Sequence, residues 1–156
     1  MRYRHCFLVK APLDVVADFH AQSASMAAIT PPPVVVQVRR APDRLQDGDE
    51  MDFTLGLGPV AVHWLARIEE VSRNGFTDRQ LHGPFKHWSH HHNFLPVNET
   101  TTAVVDEIEL GLHPQFLWGL VGFGMWISLP LLFLYRGWKT QRLIAGRWGI
   151  DRLAVK

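Results

Sequence analysis

The run His87-Trp88-Ser89-His90-His91-His92-Asn93-Phe94 sets four imidazoles among aromatic residues. Imidazole exchanges a proton near neutral pH and, when neutral, ligates metals. In an extended run successive side chains point to opposite faces. Trp88, His90, His92 and Phe94 then share one face, and His87, Ser89, His91 and Asn93 share the other. The aromatic face is expected to turn inward, leaving His87 and His91 to solvent. His90 and His92 are therefore the candidates for chemistry, with Asp78 and Asp106 as the carboxylates nearest in a strand register.

That register follows from the turns. If His82-Gly83-Pro84-Phe85 pairs Gln80 with Trp88, Asp78 lies opposite His90. If the next turn pairs Phe94 with Thr102, Asp106 faces His90 from the other side. Directly opposed residues sit about 4.5 to 5.5 Å apart between Cβ atoms, near enough to bond. Two carboxylates favour the imidazolium while burial opposes it, and the carboxylates are expected to raise the His90 pKa. The expected role is a hydrogen-bond network that orients a ligand or fixes the sheet, with Gln80 and His92 beside it. The alternative is general acid–base chemistry by His90 or His92 with Asp78 or Asp106. A facial metal triad needs two His and a matched carboxylate, and His-x-His alone does not supply the third ligand. No metal and no cofactor are expected.

Other patterns carry less. Gly56-x-Gly58-Pro59 lacks the downstream glycine and helix of a phosphate loop and reads as a hairpin turn. No serine sits in a Gly-x-Ser-x-Gly elbow. The one cysteine, Cys6, excludes an intrachain disulfide, suits a reducing cytoplasm, and is expected to be packed rather than nucleophilic. Trp64, Trp88, Trp118, Trp126 and Trp138 are expected in a core or lining a pocket.

These side chains need elements to hold them. A chain of 156 residues with 47% hydrophobic and 20% charged residues suits one domain over 1–156, with one core. A net charge of +1 gives no field for nucleic acid. The pattern predicts a strand over Arg2 to Val9, short helices over Pro12 to His20 and Ser23 to Ile29, and a stop at Pro31-Pro32-Pro33. Strands are expected over 34–40, 51–57, 60–69, 75–81, 85–94 and 101–110. Residues 115–147 are expected to be helical, bent or restarted at Pro130. Strands in succession followed by a helix imply an antiparallel α+β domain, with the helix as the sheet's cover.

Ala11-Pro12-Leu13 with Val16, Phe19 and His20, then Thr30-Pro31-Pro32, resembles the opening of the START-like, Bet v 1-like superfamily called SRPBCC. Phe76-x-Asp78-x-Gln80-x-x-Gly83-Pro84-Phe85-x-x-Trp88-x-His90-x-His92-x-Phe94 is similar to the signature of a bacterial, polyketide cyclase-related subgroup. Thr102, Asp106 and Phe133-x-Tyr135-Arg136 continue the match along nearly the whole chain. The resemblance implies a helix-grip fold: a curved seven-stranded antiparallel sheet around a long C-terminal helix, enclosing a cavity. It also implies binding of a hydrophobic small molecule or lipid, with a polyketide cyclase or dehydratase-like enzyme as the alternative. The expected ligand-binding set is Asp78, Gln80, Trp88, His90, His92, Phe94, Asp106, Trp64 and Trp126.

Phe116 to Tyr135 departs from a simple pocket-lining helix, because twenty residues pass without a charge. The length matches a bilayer span, but the sheet-rich remainder and Pro130 point to a buried helix of a cytoplasmic protein. An apolar stripe for one cavity occupies only part of a helix surface. One side is therefore expected to stay exposed and to meet a membrane surface or a second copy. Residues 136–156 carry six basic side chains against Asp151 alone, an end that complements a helix dipole or anionic lipid.

Overall fold

The computed structural model describes the backbone of residues 1–154 and the side chains of residues 1–146. The expected basic end is thus described at Arg136, Lys139 and Arg142, while the side chains of Arg147, Asp151, Arg152 and Lys156 lie outside the described residues.

Strand β1 (Arg2–Val9) leads into helices α1 (Leu13–Ala21) and α2 (Ala24–Ala28). Strands β2 (Val35–Arg40), β3 (Glu50–Leu57), β4 (Val60–Ser72), β5 (Gly75–His82), β6 (Phe85–Asn98) and β7 (Thr101–Leu112) follow, then helix α3 (Phe116–Ala154). The seven strands form one antiparallel sheet in the order β1-β7-β6-β5-β4-β3-β2. The meander from β2 to β7 follows from its turn chemistry: Gly58 adopts φ +56° in the β3–β4 hairpin, a region glycine enters without strain.

Alternation along the strands sets the faces. On β1, Tyr3, His5, Phe7 and Val9 turn inward while Arg2 and Arg4 pair with Glu109 and Glu107 on the outer face. Cys6 is also outward and exposed, not packed as expected. The inner face carries two apolar clusters. One joins Trp64, Phe85, Trp88 and Ile108 to Leu129 and Phe133 of α3; the other joins Val9, Val16, Phe94 and Val104 to Ile144. Each such side chain, fully buried, stabilises by about 1.5 to 3 kcal/mol.

Helix α3 continues through Pro130, so the helix does not restart there. Pro130 faces solvent, so its missing N–H frees a carbonyl on the exposed side rather than inside the core. Two residues earlier, the Ser128 hydroxyl donates to the Met125 carbonyl at 2.7 Å.

Gly75 sits where β5 starts, at φ +146°, and a Cβ there would stand 1.8 Å from the His92 carbonyl oxygen. Only glycine lets the β4–β5 turn close this tightly on β6. Gly75→Ala is expected to cost about 2 kcal/mol by forcing β5 and β6 apart at His92. Thermal denaturation checks this, and a melting temperature equal to the wild type's would refute the close approach.

Candidate ligand cavity and its charged floor

Between the sheet's inner face and α3 lies a cavity of about 170 Å³. Its walls are apolar: Met26 and Ile29 near α2, Met51, Phe53, Trp64 and Ala66 on β3 and β4, and Leu129, Leu132 and Phe133 on α3. Its floor is polar and charged, built from Asp78, His90, His92, His20 and Arg136.

The β5–β6 hairpin places Asp78 opposite His90, as the turn predicts. On the other side the register differs from expectation. Strand β6 continues to Asn98 through a bulge at Pro96–Asn98, so Phe94 pairs with Val104 and Asp106 lies opposite His92, not His90. The side chains cross over to meet. His90 Nε2 bonds Asp106 Oδ1 at 2.9 Å and its Nδ1 lies 3.1 Å from Asp78 Oδ2. His92 Nε2 bonds the same Asp78 oxygen at 3.1 Å, and its Nδ1 lies 3.2 Å from Asp106 Oδ1, off the line of a hydrogen bond. Each imidazole thus bridges both carboxylates. The Trp88 indole N–H holds the other Asp78 oxygen at 3.0 Å, and Phe76 stacks on the His92 ring at 4.3 Å.

Burial decides the charges. Burial alone would lower the His90 pKa, but the Asp78 charge and the bonds to Asp106 and Asp78 raise it to about 9. Burial would push the Asp78 carboxyl up, yet the His90 charge and the bonds from both histidines hold it well below the usual carboxylate range. Asp106 is held down in the same way, against its burial, by bonds from His90 and His92. His20 behaves oppositely: burial takes it down to about 4, although its Nδ1–H donates to the Val16 carbonyl at 2.9 Å. Burial also lowers the Arg136 pKa, with the Asp106 and Asp78 charges opposing, and the guanidinium stays charged. The two carboxylates therefore face the His90 imidazolium and the Arg136 guanidinium.

The sequence-selected residues separate into distinct places. Asp78, Trp64, Trp88, His90 and His92 line the cavity, and Asp106 stands behind the histidines. Gln80 instead ties the β5–β6 turn, its Nε2 donating to the Phe85 carbonyl at 2.8 Å. Phe94 is buried in the second apolar cluster, and Trp126 is half-buried beside Phe123. Trp118 and Trp138 are exposed, contrary to the expectation of a core or lining role. His91 is not simply solvated, because its Nδ1 meets the buried Thr77 hydroxyl at 2.8 Å on the outer face. His87 is exposed as expected.

Arg136 and His20 enter the floor without having been singled out as site residues. Arg136 reads in sequence as part of the basic end, yet it follows Leu129 and Phe133 on one helical face and so turns inward. Its Nε is buried with no hydrogen-bond partner among the described residues. Tyr3, whose pKa is raised by burial and then by Asp106, borders the cluster from β1.

A third metal ligand, missing from the sequence pattern, is present in space: donor atoms of Asp78, His90 and His92 lie within 4.8 Å of one another. A divalent cation there would have to displace the tightly held His90 proton beside the Arg136 guanidinium. The cluster suits a proton better than a metal.

No family model and no curated protein matches the sequence. Solved structures do match the fold. An aromatase/cyclase from Streptomyces sp. R1128 superposes with a TM-score of 0.75 at 16% identity, covering 94% of both chains. A norcoclaurine synthase of Thalictrum flavum, in complex with a transition-state analogue, gives 0.71 at 12% identity, over 94% of this chain and 95% of that one. A START superfamily protein from Mycobacterium smegmatis gives 0.61 at 7% identity, over 91% and 98%. The chain has the helix-grip fold of the Bet v 1-like and START-like proteins. At these identities the likeness speaks for fold alone.

Proposed function

We propose that this protein binds a small, mostly apolar molecule in the cavity and holds one oxygen of it against the charged floor. The observation that carries this reading is the pairing of apolar walls with the Arg136 guanidinium, whose Nε is buried with no hydrogen-bond partner among the described residues. A pocket of apolar lining with a few convergent polar groups is the usual form of a ligand site. Size narrows the class, since an apolar cavity of about 150 Å³ accepts benzene. A single ring or a short chain carrying a carbonyl or hydroxyl fits. Two of the fold neighbours named above are an aromatase/cyclase and a norcoclaurine synthase, which keeps ring-forming chemistry as the second reading. The protonation states of His90 and His20 do not suit either of them to that chemistry. A general acid or base works best with a pKa near the operating pH. His90 at about 9 and His20 at about 4 lie well to either side of neutrality.

Acetophenone and ethylbenzene share a ring and differ by one oxygen, so they probe the floor directly. The wild type is expected to bind acetophenone more tightly, and Arg136→Met to erase about tenfold of that preference, the worth of one hydrogen bond to a charged donor. Ala66→Leu fills the cavity and should abolish both. Equal binding of the two probes by wild type and Arg136→Met alike would overturn the role of the floor.

A further inference from the structure

Helix α3 covers the sheet with one face and leaves the other bare. Phe116 is 82% exposed and Leu131 75%, and Leu120, Phe123, Ile127, Leu134 and Trp138 are exposed between and beyond them. Their spacing of three or four residues places them on one side of the helix. The stripe runs ~33 Å at 1.5 Å per residue. Over 116–146, α3 carries no Asp or Glu, and Lys139 and Arg142 flank the stripe's C-terminal end. The Arg142 guanidinium sits 4.5 Å from the centre of the Trp138 ring.

We propose that this face docks on an anionic bilayer surface, with α3 lying in the plane of the headgroups. The opposite side of the same helix argues against a transmembrane path, because Leu129, Phe133, Thr140 and Ile144 are buried against the fold and Arg136 lines the cavity. A second copy fits less well. Over 116–146 α3 offers no carboxylate to pair with Lys139 and Arg142, so a second copy packed face to face on this stripe would leave both cations unmatched. Charge favours lipid, since an apolar strip with aromatic residues and flanking cations is the pattern of helices that lie at membrane interfaces. The cavity supports the same orientation. Exposed Ser128, with Met125 and Leu132, lines it, and Ser128 lies between Ile127 and Leu131 of the stripe. Docking would bring the cavity's α3 rim down to the headgroups, where an apolar ligand can pass without crossing water.

Flotation of the full chain with vesicles of phosphatidylcholine, with and without one-third phosphatidylglycerol, tests this. The wild type should float with the anionic vesicles only. The triple variant Ile127→Gln, Leu131→Gln, Leu134→Gln should lose about tenfold or more of the bound fraction, at an unchanged melting temperature because all three side chains are exposed. Lys139→Gln with Arg142→Gln should lose about fivefold per charge. Ala66→Leu, with its cavity filled, should float like the wild type, so a failure of the ligand reading leaves this one standing. Failure to float, equal flotation on neutral vesicles, or a stable dimer that the triple variant dissolves would each overturn it.

Discussion

Asp106→Leu is expected to lower the melting temperature by roughly 10 °C, the largest effect of any single side chain at the site. Asp106 is 6% exposed and bonds His90, itself 3% exposed, at 2.9 Å. Removing it leaves the His90 imidazolium and the Arg136 guanidinium in the interior against Asp78 alone. Deleting one partner of a buried pair costs about 3 to 5 kcal/mol, mostly the desolvation of the charge left behind. In a chain of this size each kcal/mol shifts the midpoint by about 2 to 4 °C. Glu107, the next residue on β7, supplies the control. It faces outward to Arg4 at 3.1 Å with about half its side chain exposed, so Glu107→Gln should cost about 1 kcal/mol at most. Similar losses from both substitutions, measured by calorimetry, would contradict the buried cluster.

Stability should pass through a maximum near pH 6.5, with a different histidine responsible for each side. His90 has a folded pKa raised from 6.5 to about 9. Its folded form holds the proton longer than the unfolded chain, so its contribution is complete below 6.5 and fades as pH rises to about 9. The loss is on the order of 3 kcal/mol, from the linkage of one pKa unit to about 1.4 kcal/mol. His20 is lowered from 6.5 to about 4, so the folded form resists protonation and stability falls as pH drops across that interval. Below it, Asp78 and Asp106, held under their ordinary range, add a further loss as they protonate. Urea denaturation across pH 4 to 9 reads the two histidine limbs. His90→Phe should flatten the alkaline limb and leave the His20 limb in place; an alkaline limb unchanged in that variant would remove His90 as its cause.

Much of this arrangement is legible in the residues themselves. Alternation along 85–94 sorts the histidines by face, and the short turn at His82-Gly83-Pro84-Phe85 sets Asp78 opposite His90. The β6–β7 register is not legible in the same way. Pro96 and Asn98 form a bulge within a strand that runs two residues past the point where the proline suggests an end, and this moves Asp106 to His92. The cross-bonding survives because both imidazoles reach both carboxylates. Arg136 is hidden for another reason: charge reads as surface until Leu129 and Phe133, on the same helical face, show that position pointing inward. Phe94 and Trp126 share aromatic character with the lining but not its position, and sequence alone does not separate a cavity wall from the core behind it.

In the proposed site a charged histidine forms the floor of the cavity. Ring-nitrogen NMR of His90 in the wild-type protein, at pH 7 and with acetophenone added, tests it most directly. His90 is expected as an imidazolium at pH 7, with shifts at His90 and His92 on adding the probe and exposed His87 unmoved. A His90 neutral at pH 7, or one whose nitrogens ignore saturating probe, would contradict it.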